Sequence, residues 1–511
     1  MERSATPQPR EGHGTVAPWA RRARLGLVLA ATVLAAACSR DQGARPPVVT
    51  TQEDPAETTT SSPPPPSRRP GPSTTVDPAE PLELVWVRQV GGLGNDELSS
   101  VAGRDDSVVA VGSTDGAAGP TQGGRDAMVV VARSSGTVAP PTQFGTDGTD
   151  RAAGVAATGG TALACGTSDS TRGTRSSGTP DGWCAPVADD GTLGEAVAIG
   201  GDADDSLVAV ALPRPTGSGP SDDDRPAPPT FGYAVGSTSG VMPRAQDPSG
   251  RGLGDGDAVV TKVDPSGQPL WIRQFGSFAP DRATGVTTSE GGDAVAVGVT
   301  GGDAAGRSLG GTDGFVARFD PAGNQRWAVQ VGSSGDDELR AVAAAGEARR
   351  GTEQFIVGGS TGGLVGAASA GGADALVVAL GPDGRQQWAT QFGSAGTDRV
   401  TAVLADGATV LVAGTTDAAL GTLRADLGPG GRRDAFVAAL DAESGQVLWT
   451  SRFGAAEDDD VTGLTTTEDG LLVLSGATAG QLPGATTLGN VDGLLVAFRL
   501  PGSGVGAASS V

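Results

Sequence analysis

The sequence predicts an all-β fold, and three observations lead to that prediction. Short apolar runs rich in β-branched and aromatic residues recur along the chain, bounded by Gly, Asp and Asn, as in Ala294–Val297 and Phe315–Phe319. Runs of this length and punctuation indicate strands. Beyond residue 38, no stretch sustains the periodicity of an amphipathic helix. The runs also recur in a fixed order seven times between Leu84 and Phe498, so one unit is repeated along the chain.

The most recognisable part of the unit is the phrase W-x-x-Q-(F/V)-G. Complete copies begin at Trp86, Trp271, Trp327 and Trp388. A fifth copy, from Trp449, has Arg452 in place of Gln, and two degraded copies surround Gln143–Gly145 and Ala198–Gly200. A fixed place in a strand beside the next unit favours a packing role for these Trp side chains over stacking on sugars.

Two Asp positions complete the unit. One stands seven residues beyond the Gln position in every copy, at Asp96, Asp150, Asp205, Asp281, Asp337, Asp398 and Asp459. An apolar run ending in Gly-x-Ser/Thr follows, and then a second Asp opens another run, at Asp126, Asp181, Asp257, Asp313, Asp374, Asp434 and Asp492. Repeats of about 40–60 residues with several short strands are typical of a β-propeller. The sequence therefore predicts a seven-bladed propeller of four-stranded antiparallel blades.

The unit over residues 281–332 shows the predicted order of strands. Asp281–Val286 is expected to be the innermost strand, followed outward by Ala294–Val297, Phe315–Phe319 and Arg326–Val331. Asp320–Gly323 suits a tight turn between the last two, because Pro fixes φ at its second position and Gly tolerates positive φ at its fourth. Each unit thus supplies one blade.

The two ends of the repeat region predict how the ring closes. The chain enters on a Trp-type strand, 84–90, and leaves on 494–498, so the seventh unit lacks its own fourth strand. We expect these two segments to pair, since closure removes exposed strand edges. The third unit is irregular: Pro213–Pro229 and Val241–Gly256 are expected to be long surface loops.

The remaining segments predict an export signal, a tether and a tail. Leu25–Ala37 is a short apolar stretch after a basic segment, and it ends before Cys38, which is typical of a signal peptide over residues 1–38. Leu34–Cys38 resembles the lipobox of bacterial lipoproteins, which implies lipidation of Cys38 and an anchor on the outer face of the cell membrane; ordinary secretion is the alternative. Residues 39–82 read as a disordered tether rich in Pro, Ser and Thr, residues 83–500 as the propeller, and 501–511 as a disordered tail.

The amino-acid composition limits which partners, catalytic mechanisms and metal sites the protein can have. The net charge is −23, which disfavours nucleic acid as a partner. The single His, His13, lies in the leader, so Ser-His-Asp catalysis and His-ligated metal sites are excluded from the exported protein. Lys262 is the only Lys beside abundant Arg, Ala and Gly, a composition that suggests a GC-rich genome such as an actinobacterium's. The carboxylates and arginines are left as catalytic candidates, and we expect no enzyme.

Cys165 and Cys184 lie on matching strands of one unit. Adjacent antiparallel strands bring such positions within disulfide range, and the expected compartment is oxidising, so the sequence favours a disulfide over two buried thiols.

The first Asp set, expected to surround the central channel, has two interpretations. A ring of carboxylates could hold Ca²⁺ or another hard cation. Alternatively, each Asp accepts backbone N–H bonds within its own loop. Recurrence in every unit favours the structural role, because a site usually draws on only a few blades. No cofactor is expected, with Ca²⁺ as the one possible ligand.

The phrase W-x-x-Q-F-G-x-x-x-x-D, followed by V-x-G-x-T and D-A-F-V-A, resembles the SBBP-type β-propeller repeat of bacterial surface and secreted proteins. Trp271–Phe319 and Trp388–Leu440 match it best, and the similarity spans nearly the whole chain after the tether. The resemblance implies a propeller outside the cytoplasm but no activity. We therefore expect a monomeric, membrane-tethered binding or scaffold module whose partner is an envelope protein or a cell-wall glycan. The alternatives are a carbohydrate-active or other hydrolytic propeller with carboxylates at the channel mouth, and a calcium-dependent adhesion module.

Overall fold

The computed structural model is all-β across the residues that it describes. These are residues 82–116, 123–158, 160–169, 180–213, 229–243, 254, 256–346, 351, 353–366, 369–423 and 431–500. They contain 29 strands and no helix; a helix long and apolar enough to cross a membrane is accordingly missing from these ranges. The predicted signal peptide and tail lie outside them, as do most of the two long loops of the third unit. The predicted tether also lies outside except for Leu82, which is buried in the core.

Seven sheets follow one another along the chain, and each is one blade. The first blade comprises β2 (Asp96–Arg104), β3 (Ser107–Thr114), β4 (Asp126–Arg133) and β5 (Thr142–Phe144). The second comprises β6 (Asp150–Thr158), β7 (Thr161–Ser168), β8 (Asp181–Pro186) and β9 (Val197–Ile199). The third comprises β10 (Asp205–Ala211), β11 (Gly232–Thr238), β12 (Asp257–Val263) and β13 (Pro269–Phe275). The fourth comprises β14 (Asp281–Thr288), β15 (Ala294–Thr300), β16 (Asp313–Phe319) and β17 (Gln325–Val331).

The last three blades keep this plan with two local differences. The fifth comprises β18 (Asp337–Ala345), β19 (Gln354–Thr361), β20 (Asp374–Leu380) and β21 (Gln386–Phe392). The sixth comprises β22 (Asp398–Asp406), β23 (Thr409–Thr416), β25 (Asp434–Asp441) and β26 (Val447–Phe453), with the two-residue β24 (Thr422–Leu423) added in parallel to β26. The seventh comprises β27 (Asp459–Thr466), β28 (Leu471–Thr478), β29 (Asp492–Arg499) and β1 (Glu83–Val90). The predicted class and blade number are confirmed.

The seventh blade closes the ring in the predicted way. β1 pairs antiparallel with β29, with Leu84 opposite Phe498 and Gln89 opposite Leu494. The first strand of each blade contacts the first strands of both neighbouring blades, all the way around from β27 to β2. These seven strands therefore surround the central channel.

The hydrophobic core is divided among the junctions between blades. Each of its seven apolar clusters draws on two neighbouring blades, as where Tyr233 and Phe275 of the third blade pack with Phe315 of the fourth. The Trp of the repeat adds a polar contact to this packing, which confirms its predicted role. Its indole N–H donates to a carbonyl in the turn between the third and fourth strands of the next blade: Trp86 to Ser134, Trp271 to Pro321, Trp327 to Pro382 and Trp388 to Ala442.

Trp449 is the exception, and ring closure explains it. Its buried indole nitrogen has no hydrogen-bond partner in the described part of the chain. The next blade is the seventh, whose third and fourth strands, β29 and β1, come from opposite ends of the chain. No turn joins them, so the acceptor that serves the other Trp side chains does not exist there.

Candidate binding site

The two Asp positions of the repeat meet at every junction between blades. The Asp that begins an innermost strand lies beside the Asp that begins the third strand of the preceding blade. The pairs are Asp150 with Asp126, Asp205 with Asp181, Asp281 with Asp257, Asp337 with Asp313, Asp398 with Asp374, Asp459 with Asp434, and Asp96 with Asp492. All fourteen side chains are buried, with exposed fractions of 8% or less.

Backbone hydrogen bonds hold each pair in register. The N–H of the innermost-strand Asp donates to the carbonyl just before the partner Asp, at 2.6–3.0 Å in all seven junctions. Its carboxylate accepts the N–H of the residue four positions earlier, at 2.5–2.8 Å, again in all seven. These bonds are the contacts that the structural interpretation of the Asp set requires.

The glycine that ends the W-x-x-Q-(F/V)-G phrase lies between the two carboxylates. A Cβ atom on Gly393 would overlap the Asp374 carboxylate and come within 2.7 Å of Asp398 Oδ2. Gly145, Gly200, Gly276, Gly332 and Gly454 have the same surroundings in their own junctions. The glycine is therefore needed because a side chain would displace the carboxylates.

The Gln of the phrase supplies the donor for the third-strand Asp. Its Nε2 atom donates to the Asp Oδ2 atom at 2.6–3.0 Å in five blades, from Gln89 to Asp492, Gln143 to Asp126, Gln274 to Asp257, Gln330 to Asp313 and Gln391 to Asp374. In the sixth blade Arg452 takes this place and pairs with Asp434 at 3.2 Å. One position of the outer strand thus carries a polar N–H donor in six blades.

Burial raises the pKa of five of the innermost-strand carboxyls. This holds for Asp96, Asp205, Asp281 and Asp337, and the pKa of Asp459 rises to about 6. Hydrogen bonds from a Thr hydroxyl and from the loop N–H act in the opposite direction. Desolvation of a carboxylate is thus only partly offset by its donors.

The first Asp set begins the strands that surround the channel, as predicted, but its side chains are buried in the junctions rather than open to the channel. Within the described ranges, no three acidic or thiol side chains converge in a way that could hold a metal ion. Cation binding by this set stays a prediction.

Sequence reasoning missed a set of ion pairs beside the buried carboxylates. Glu338, directly after Asp337, pairs with Arg282 of the fourth blade at 2.7 Å, with Arg340 at 2.8 Å and with Arg399 of the sixth blade at 3.7 Å. Burial acts to raise the pKa of Glu338, but Arg340 and Arg282 lower it overall. The sequence contains a pattern that could have predicted these ion pairs, because a charged residue directly follows the innermost-strand Asp in six units: Glu97, Arg151, Arg282, Glu338, Arg399 and Asp460.

The second blade departs from the carboxylate pattern. Ala198 lies opposite Trp183, the register position that Gln391 takes opposite Leu376 in the fifth blade. Among the described residues no side chain or backbone N–H donates to Asp181. Its Oδ1 atom is buried without a partner, as it is in Asp313 and Asp374, but Asp181 also lacks the bond that Gln330 and Gln391 donate to Oδ2 of those two residues. Burial and the adjacent Asp205 raise the pKa of Asp181 to about 6.

A cavity of about 550 Å³ opens next to Asp181, between the outer parts of the second and third blades. Its lining includes Asp181, Asp202, Ile199, Pro243, Leu270 and Ile272. The volume falls within the roughly 300–1,000 Å³ of ordinary small-ligand sites. Apolar side chains and the buried carboxylate of Asp181 line this cavity, and the degraded copy of the phrase at Ala198–Gly200 lies beside it.

A disulfide braces the blade behind this cavity. Cys165 of β7 and Cys184 of β8 lie directly opposite each other, with their Cα atoms 4.1 Å apart and their sulfurs joined. Both belong to the apolar cluster that contains Ile199 and Ile272 of the cavity wall. The predicted lipidation site, Cys38, lies outside the described residues.

Comparisons with known proteins do not assign the chain to a family. No family model matches it, and membership of the SBBP-type repeat family stays a prediction. The regulatory protein FlaEY of Caulobacter vibrioides is 30% identical over 200 residues, which cover 35% of this chain and 20% of that protein. The chain thus spans about a fifth of this relative.

Several solved structures are similar to the chain at TM-scores below 0.5. The phage phi92 endosialidase has a TM-score of 0.42 at 10% identity, covering 83% of this chain and 70% of its own. The periplasmic gluconolactonase of Pseudomonas aeruginosa has a TM-score of 0.41 at 14% identity, covering 80% and 99%. Drosophila Plexin A in complex with Semaphorin 1b has a TM-score of 0.42 at 10% identity, covering 82% and 87%. The expectation that the protein is not an enzyme stays a prediction.

Proposed function

We propose that the protein is a lipid-anchored propeller that acts as a binding or scaffold module at the cell envelope. The anchor is argued from Leu34–Cys38 and the apolar stretch before it. The tether over residues 39–82 would separate the propeller from the membrane. Its partner would be an envelope protein or a cell-wall glycan.

The observation that supports this proposal most strongly is the hydrogen bonding of the repeated Asp carboxylates. In six junctions both Asp side chains are bonded within the fold, so they join blades and are not free to act on a substrate. Among the fourteen repeat carboxylates, only Asp181 of the second blade receives no hydrogen bond from a described residue, and it lines an open cavity. A departure from the repeat at one place gives the otherwise regular ring a distinct binding face.

Proximity cross-linking of the lipidated protein in intact cells, read by mass spectrometry, tests this proposal. We expect one reproducible partner whose cross-links lie on the second and third blades. A Cys38→Ser variant, which removes the anchoring thiol, serves as the matched control and should lose that partner together with its membrane fraction. Diffuse neighbours that are equal for both proteins would contradict the proposal.

A second candidate function is hydrolysis, and one observation favours it. Asp181 and Asp205 lie together, and the raised pKa of Asp181 suits a general acid near neutral pH. An envelope glycan hydrolysed by the wild type but not by Asp181→Asn, with an unchanged fold, would support catalysis.

A further inference from the structure

The second blade lacks one specific chemical group that the other six blades have. In those blades an N–H donor on the outer strand binds the third-strand Asp. Five of the donors are Gln amides and one is the guanidinium of Arg452. Ala198 occupies the same register position and carries no donor; Asp181 lines the cavity, and no described residue donates to its carboxylate.

An unpartnered carboxylate of this kind favours a ligand. Asp181 is only 8% exposed, and a buried ionised group without donors is costly to maintain. Asp205 adds a second negative charge to the junction. An N–H donor that reaches Asp181 would recover the bond that the other blades make internally.

The charged side chains that line the cavity indicate the charge of the group that donates to Asp181. Asp202 lines the cavity and is exposed. Arg273 also lines it, but its guanidinium donates to the carbonyls of Ile272, Ala322 and Gly323. The N–H donors of Arg273 are therefore used within the protein although its charge remains, so two acidic side chains stand against one cation in the lining and favour a positively charged ligand.

The walls of the cavity indicate the rest of the ligand. Ile199, Ile272 and Leu270 line the approach to Asp181, and Leu270 is 55% exposed. An aliphatic stem would bury its methylene groups against these side chains. Arg452 shows that a guanidinium on such a stem fits a third-strand carboxylate of this fold.

We propose that the cavity between the second and third blades binds a cationic N–H donor on an aliphatic stem, with Asp181 as its acceptor. The donor belongs either to an Arg or Lys side chain of a peptide or to a free alkylguanidine or alkylamine. This inference rests on the proposed binding function and names the chemistry of its ligand.

Isothermal titration calorimetry on the full-length chain tests the proposal. The probes are butylguanidine, butylamine and N-acetyl-arginine amide, with pentanamide as the neutral probe and butyrate as the anionic one. Ala198→Gln restores the missing amide, and Asp181→Asn removes the charge. Arg452→Gln exchanges one donor for another in the sixth blade and is the matched control.

We expect the cationic probes to bind the wild type and the Arg452→Gln variant equally. Ala198→Gln and Asp181→Asn should each weaken that binding about tenfold or more, the usual worth of a hydrogen bond to a charged group. Tighter binding of N-acetyl-arginine amide than of butylguanidine would assign a peptide ligand, and the reverse order a small molecule; both support the proposal. Equal affinity in all four proteins, or pentanamide binding as tightly as butylguanidine, would overturn it.

The chain itself could provide the donor, and one variant distinguishes that case. Arg244 follows Pro243 directly in the sequence. A wild type that binds none of the probes, beside an Arg244→Ala variant that does, would overturn the proposal of an external ligand; no binding by either protein would do the same. Calorimetry with small probes needs no cellular partner, so its failure is separate from a failure of the cross-linking experiment.

Discussion

The fifth and second blades carry the same repeat but use its carboxylates differently. In the fifth blade, Gln391 donates to Asp374 at 2.7 Å and also to the carbonyl of Gly363 at 3.0 Å, so outer strand, third strand and loop are tied together. In the second blade, Ala198 replaces the Gln, and Asp181 faces a cavity instead. The comparison teaches that a single missing donor can convert a structural carboxylate of a repeat into a candidate ligand acceptor.

The disulfide is another difference between the two blades, and its loss should have the largest effect. It links residues 19 apart in sequence, so the loop-entropy model assigns it about 3 kcal/mol of the free energy of unfolding. We expect the Cys165→Ala/Cys184→Ala variant to unfold at correspondingly lower urea concentration under non-reducing conditions. The control is the wild type in reductant, which should approach the variant; equal midpoints for all samples would contradict a disulfide.

The next largest difference between the two blades should come from adding a side chain to the glycine that lies between the paired carboxylates. Gly393→Ala should cost about 1–3 kcal/mol in free energy of unfolding, because bonded carboxylates resist displacement. The matched variant Gly200→Ala should cost less, since Asp181 can shift toward the cavity. Urea unfolding measures both, and a larger loss for Gly200→Ala would argue against an unrestrained Asp181.

Removing the donor from the fifth blade should make it resemble the second. Gln391→Ala leaves Asp374 buried without its side-chain donor, and we expect a loss of about 1–3 kcal/mol, the cost of an unsatisfied buried polar group. Gln354→Ala, which removes a solvent-exposed amide bond to Gln387 from a half-buried residue of the same blade, is the control and should have a much smaller effect. Equal losses for the two variants would show that the Gln391 bond has no special role.

The smallest expected effect is a difference between the wild type and the Asp181→Asn variant in how the free energy of unfolding depends on pH. Because the pKa of Asp181 is raised to about 6 in the folded protein, the folded state keeps a proton that the unfolded state releases near pH 4. The free energy of unfolding should therefore fall as the pH rises from about 4 to 6, and this fall should be shallower in Asp181→Asn. Urea unfolding at several pH values measures it, and parallel curves for the two proteins would refute the raised pKa.

The strand pattern could be predicted from the sequence because it depends on local features. Alternating apolar runs, the turn at Asp320–Gly323 and the order of segments within a unit fix the blades and their number. Closure by 84–90 and 494–498 followed from counting strands at the two ends. Each of these depends on residues near one another in the chain or on the repeat period.

The candidate site could not be predicted in the same way because it forms between units. Asp181 and Asp205 are brought together by two different blades, and spacing within one unit does not reveal that contact. The ion pairs of Glu338 with Arg282 and Arg399 likewise join three blades. The sequence shows that Ala198 replaces the Gln of the phrase. The consequence for Asp181 could not be predicted, because the sequence does not show that the Gln side chain donates to the third-strand Asp.

A double-mutant cycle between positions 198 and 181 tests the central claim most directly. The account predicts that Ala198→Gln raises the free energy of unfolding by about 1 kcal/mol, the net worth of a hydrogen bond, and that this gain disappears in an Asp181→Ala background. Urea unfolding of the four proteins at pH 7 gives the coupling. An equal gain in both backgrounds, or no gain in either, would contradict the claim that Asp181 lacks a hydrogen-bond donor that a Gln at position 198 supplies.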